Sequence, residues 1–88
     1  MDKIILSNES RRERIAIPIK PPAPEKILTA RELEICRHLH QGSSIKETAF
    51  DLDLAVKTVR GHLERIYIKI QVHSITQLII FLCRAWGS

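Results

Sequence analysis

The stretch from Ala55 to Ile70, AVKTVRGHLERIYIKI, constrains the fold more than any other part of the chain. At about 100° per residue, Val56, Val59, Leu63, Ile66, Tyr67 and Ile70 share one face of a helix, which must therefore be the core side. Lys57, Arg60, Gly61 and Glu64 fall on the opposite face with Ile68 below them, while Thr58, His62, Arg65 and Lys69 form a polar flank. Such a helix packs along one stripe and leaves the other free. Two readings of the free face stand: a merely solvated charged surface, or a surface shaped for the major groove of a duplex, which admits one α-helix.

The neighbouring segments narrow the choice. Thr29 begins the string T-A-R-E, in which the threonine hydroxyl caps the amide of Glu32 and the glutamate reaches back, so the first helix opens there. Its inner stripe is Ile35, Cys36 and Leu39, with Leu28 placed to staple the start and Gly42 to stop the helix. A second box, Ser44 to Glu47, opens a short helix with Ile45, Ala49 and Leu52 inward and Phe50 directed away. After Asp51 to Leu54 the chain turns into the Ala55–Ile70 helix. A short helix, a tight turn and a longer helix with a basic outer face make the helix-turn-helix arrangement, whose second helix enters the groove. Ser74 with Gln77 is read as a third box, opening a last helix from Ile75 to about Ala85.

That last helix has more apolar surface than one stripe uses. Ile75, Leu78, Ile79, Leu82 and Trp86 align, yet Ile80, Phe81 and Cys83 lie outside the line. The favoured cover is the same helix of a second copy, giving a two-fold dimer; the alternative is the amino-terminal arm folded over it. The arm, residues 1–26, carries Ile4, Ile5 and Leu6, then Arg11, Arg12 and Arg14, then Ile15, Ile17 and Ile19 at period two, and the cluster Pro21, Pro22 and Pro24. Proline rules out a good central strand, so a flexible arm rather than a domain is expected. The alternatives are packing on the helical body through the isoleucines or DNA phosphate contact through Arg11, Arg12 and Arg14. The division expected is an arm over 1–26 and a helical domain over 27–88.

Eighty-eight residues suffice for one small domain, and the formal charge of +4 favours a polyanionic partner without requiring one. Arm and domain each carry +2, so the basic excess is not a tail effect. Two distant cysteines build no disulfide framework, and no CxxC or zinc-spaced histidine pair appears. Only Cys36 and His40 of the Cys36, His38, His40 group share a helical face, so no metal site and no cofactor is expected. No nucleophile with its base and no phosphate-cradling glycine loop is present, so an enzyme is not expected. No apolar run reaches membrane-span length, so a cytoplasmic protein with no membrane partner is expected.

With the helices placed, residues Leu28 to about Leu82 resemble the LuxR-type helix-turn-helix domain of bacterial transcription regulators. The resemblance runs through Leu28, Thr29, Arg31, Glu32, Glu34 and Ile35, then Gly42, Ser44, Lys46, Glu47 and Ala49. It continues through Leu52, Leu54, Thr58, Val59, Arg60, His62, Leu63, Ile66, Tyr67, Lys69, Ile70, Val72 and Thr76. It implies an all-α, four-helix domain that binds double-stranded DNA as a homodimer on an inverted repeat, with the third helix in the major groove and the fourth at the dimer contact. Carried over by position, the base-reading residues are Lys57, Arg60, Gly61 and Glu64, the four that helical periodicity also puts outward. Ser44, Lys46, Thr58, His62, Arg65 and Lys69 are implied as backbone contacts, and Thr76, Ile80 and Cys83 as the dimer face.

Departures from the family pattern accompany the match. Ala55 replaces a usual serine cap, Ile45 a usual polar residue, Gln71 a usual glycine, and Ile75 a usual arginine. Those at Ile45, Ala55 and Ile75 motivate a rival reading: a modulator that binds DNA weakly and heterodimerises with a longer LuxR-type regulator. The 26 residues ahead of the domain are too few for a sensor module, so a stand-alone member is expected.

Overall fold

The structure is a computed structural model that describes Ile17 and residues 21–87. The early isoleucines and Arg11, Arg12 and Arg14 lie outside the described residues. Four helices make up the domain: α1 Ala30–His40, α2 Ile45–Asp51, α3 Val56–Ile70 and α4 Ile75–Trp86, preceded among the described residues by a 3-10 turn at Pro24–Lys26. Among the described residues all regular structure is helical.

Local chemistry sets the helix starts. The Thr29 hydroxyl accepts from the Glu32 amide at 3.2 Å, and the Glu32 carboxylate accepts from the Thr29 amide at 2.9 Å. Ser44 and Glu47 repeat the exchange at 3.0 and 2.8 Å, so both expected boxes form. The third box forms only by half. Ser74 accepts from the Gln77 amide at 3.1 Å, but the Gln77 side chain takes the amide of His73, not that of Ser74. α3 starts at Ala55 with no side-chain cap, as the missing hydroxyl requires.

The core forms where the stripes meet. Ile35, Cys36 and Leu39 from α1, Ala49 from α2, Val59, Leu63, Ile66 and Ile70 from α3, and Leu78, Phe81 and Leu82 from α4 are buried together with Leu28 and Val72. α1 contacts all three other helices, and α2 packs against α3. The apolar line expected on α4 is corrected by this packing: Phe81 is a core residue, whereas Ile75, Ile79 and Trp86 are only half-buried. The direction of the buried line depends on where α1 lies, and helical periodicity alone does not contain that.

The last part of the arm is packed against the helices. Pro21 and Pro24 are buried, Ile17 packs on the core, and Arg84 Nη1 donates to the Ile17 carbonyl at 2.7 Å. Glu25 is the hub of a surface cluster at the far end of α4. Its carboxylate accepts from the Trp86 indole N–H at 3.1 Å and lies 3.7 Å from the Arg37 guanidinium, which itself sits 5.5 Å from the Trp86 ring centre. His40 meets the Trp86 ring edge-on and bonds the Gly87 carbonyl.

Three turns between helices use left-handed backbone, one of them at Asp53, φ 57, between α2 and α3. Gly42, at φ 102, ends α1 at no steric cost, and Gln71, at φ 67 and ψ 47, ends α3 in the αL region. A side chain in αL costs about 1 to 2 kcal/mol, part of which glycine would return to the unfolded chain as entropy. Gln71→Gly is therefore expected to raise stability by roughly 0.5 to 1 kcal/mol, read as a higher urea midpoint with an unchanged slope. An unchanged midpoint would mean that the αL turn is unstrained.

Candidate nucleic-acid interface

The α3 stripe fixes which of its residues face outward. With Val59, Leu63, Ile66 and Ile70 buried, Lys57, Thr58, Arg60, Glu64, Arg65 and Ile68 are exposed, and Gly61 and His62 are half-buried beside them. The four residues assigned to base reading therefore lie on one outward surface, continued by Ile68 at 77% exposure. α2 braces that helix from behind. Ile45, Leu63 and Tyr67 line a small open hollow of about 150 Å³ between the two, with Arg60 and Glu64 at its rim. Burial pushes the Tyr67 phenol up, and the nearby Arg60 charge offsets part of the rise.

Gly61 carries information of its own. A Cβ built there would meet no heavy atom within 4 Å, so nothing inside the domain requires a glycine. Glycine inside a helix costs about 0.5 to 1 kcal/mol relative to alanine. A residue unfavourable for the helix, with no internal use and an outward position, suits close approach by something outside the domain.

The polar flank divides on inspection. Arg65 Nη2 donates to His62 Nδ1 at 3.1 Å, which leaves Nε2 of a neutral His62 ring as the outward donor. Lys46 and Thr58 are exposed. The Ser44 hydroxyl is occupied by the Glu47 amide, so what it offers outside is limited to its remaining hydrogen-bonding capacity. Lys69, assigned to backbone contact, has its ammonium on both carboxylate oxygens of Glu32 at 2.9 and 3.0 Å. Its charge is thus paired within the domain, tying the end of α3 to the start of α1. Sequence reasoning missed this pair because a capping glutamate is ordinarily exposed, whereas Glu32 is only 3% exposed. The one available signal was Lys69 at the border of the α3 stripe.

Burial opposes ionisation of Glu32, but the Lys69 hydrogen bond and charge and the Thr29 amide outweigh it and leave the carboxyl below the usual glutamate range. Cys36 shows the opposite: burial, helped by the Glu32 charge, pushes its thiol up to about 12, so it packs as an apolar side chain. Among the described residues no group of three or more His, Cys, Asp or Glu is placed to hold a metal ion, and no single helix is long and apolar enough to cross a membrane.

On α4, Thr76 and Ile80 are exposed and Cys83 is half-buried, spaced to share one outward side. Arg84, next to Cys83 in the chain, takes the contact to the Ile17 carbonyl.

The sequence comparisons agree with this geometry. The family model described as bacterial regulatory proteins, luxR family, matches residues 26–82, spanning all of α1, α2 and α3 and most of α4. The chain belongs to the luxR family. That is a family of transcription regulators with a DNA-binding helix-turn-helix, not of enzymes. The chain is 47% identical over 53 residues to the fimbriae Z protein of Escherichia coli K12, covering 60% of this chain and 25% of that protein. It is 40% identical over 58 residues to the probable HTH-type transcriptional regulator GfsR of Streptomyces halstedii, covering 66% and 24%. With the transcriptional regulatory protein LiaR of Bacillus subtilis it shares 36% over 61 residues, 69% of this chain and 29% of LiaR. The matches thus span about a quarter of each of these curated relatives. No solved structure matches the chain significantly.

Two stability outcomes follow from the geometry. Lys69→Met should destabilise the domain by about 1 to 3 kcal/mol at neutral pH, because it leaves a buried carboxylate without its cation. Since the folded Glu32 pKa is lowered, the stabilisation is full above the ordinary glutamate value of about 4.3 and is lost as pH falls through the folded value. The parent and Lys69→Met should therefore converge in acid, as followed by urea titrations across pH. Gly61→Ala should raise stability by roughly 0.5 to 1 kcal/mol, and a fall would show an internal need for the glycine.

Proposed function

We propose that this luxR-family chain is a cytoplasmic, sequence-specific DNA-binding transcription regulator that acts as a homodimer on an inverted repeat. The observation that carries the reading is the outward α3 surface of Lys57, Arg60, Gly61 and Glu64, braced by α2 and held in place by the buried Val59, Leu63, Ile66 and Ile70 on the opposite side. In this docking α3 lies in the major groove. Arg60 presents a guanidinium fork suited to the O6 and N7 acceptors of guanine, Glu64 accepts from a cytosine amino group or pairs with Lys57, and Gly61 lets the backbone approach the bases. Lys46, Thr58, His62 and Arg65, with Ser44 at the α2 start, meet phosphate and set register. Lys69 contributes indirectly, by anchoring α3 to α1.

The Thr76, Ile80 and Cys83 side of α4 is the proposed contact between copies, which would set half-sites about one helical turn apart. The fimbriae Z, GfsR and LiaR relatives support regulation of transcription as the role; which genes are regulated depends on the operator.

Selection of bound duplexes from a random pool, followed by titration at two salt concentrations, tests the reading. An enriched inverted repeat is expected, with a specificity ratio that survives added salt. Arg60→Ala should cost about 1 to 3 kcal/mol on that duplex and relax preference at one base position, whereas Lys46→Ala should weaken all duplexes alike. Gly61→Ala should weaken specific binding while stabilising the fold. No enriched motif, together with a mixed dimer formed with a longer luxR-family regulator, would replace this reading with that of a modulator.

A further inference from the structure

We propose that the outward side of α2, with the turn before it, is a docking surface for a basic segment of a partner protein that carries an apolar anchor. Phe50 is the motive. It is 85% exposed, the most exposed of the large apolar side chains described, although Thr48 and Ala49 immediately before it are buried. A lone exposed phenylalanine is ordinary surface; this one borders an open concavity of about 590 Å³. Gln41, Lys46, Glu47 and Asp51 line the same shallow hollow, so an anchor set beside the ring would rest on one open face formed by these side chains.

The charges choose the occupant. The whole chain is +4, yet this surface has Glu47 and Asp51 against Lys46, and Asp53 follows, its amide donating to the Phe50 carbonyl at 3.2 Å. Glu47 is held in position by its bond from the Ser44 amide, and Asp51 lies 3.6 Å from the His38 ring, so the two carboxylates border the ring on a fixed helix face. The hollow shares Lys46 with the proposed phosphate contacts, and Glu47 and Asp51 are what set it apart from the α3 side. They also disfavour a second copy, because a two-fold contact would set acid against acid. A lysine- or arginine-bearing peptide with one apolar side chain complements both features. Because Lys46 belongs to both surfaces, peptide binding is read on the free chain without DNA.

Selection from a displayed random-peptide library against the full chain without DNA, with Phe50→Ala as counter-target, tests it. Enriched peptides should carry an apolar residue flanked by Lys or Arg. They should bind at least roughly tenfold more weakly to Phe50→Ala, more weakly to Asp51→Asn, and more weakly to the parent as salt rises. Hydrogen-exchange protection should fall within residues 41–51. Both variants should melt with the parent, since both side chains are exposed. Peptides that fail to distinguish the parent from Phe50→Ala, or acidic peptides among the winners, would overturn the proposal. So would winners that bind far more tightly once residues 1–16 are deleted, which would assign the surface to the chain's own arginine-bearing arm.

Discussion

Burial of the α3 stripe is the constraint on which the rest depends. Val59, Leu63, Ile66 and Ile70 lie inside a core built jointly by α1, α2 and α4, and four such side chains at helical spacing leave the helix a single rotational setting. Every outward residue of α3 is positioned by that setting. A rotation of one residue would carry Lys57, Arg60 and Glu64 away together and bring apolar groups to the surface, at about 1.5 to 3 kcal/mol for each buried side chain exposed. Precision of the proposed groove face is therefore a property of the core, not of the face.

The Glu32–Lys69 pair adds a polar lock to the same helix. Glu32 does two tasks: one carboxylate oxygen closes the Thr29 cap, and both oxygens hold the Lys69 ammonium. The start of α1 and the end of α3 are thereby joined across 37 residues of sequence. A capping residue that also pairs across the fold makes local and tertiary structure mutually dependent, which favours one arrangement over a set of near alternatives. The cluster of Glu25, Arg37, His40 and Trp86 plays a comparable part at the opposite end of α1, where it gathers the segment before α1 and the end of α4.

Surface chemistry then distributes roles over the domain. α3 presents arginine, lysine and a glycine without internal need, whereas the neighbouring side of α2 presents an exposed phenylalanine among carboxylates. Surfaces of opposite chemistry on adjoining helices suit a protein that engages a polyanion and another protein together, with α2 as the shared support.

Much of this was legible in the sequence because it is local. The capping boxes at Thr29 and Ser44, the glycine stop at Gly42, the uncapped start at Ala55 and the α3 stripe each depend on residues three or four apart, within reach of helical periodicity and hydrogen-bonding rules. The outward set of Lys57, Arg60, Gly61 and Glu64 follows from the same periodicity. What the tertiary structure alone decided is everything that requires two distant segments: Phe81 in the core, Lys69 turned to Glu32, and the prolines at 21 and 24 packed on the helices. The physical reason is common to all three. A periodic pattern specifies a face, but the partner that covers the face, and the charge that a long side chain reaches, depend on how the helices cross.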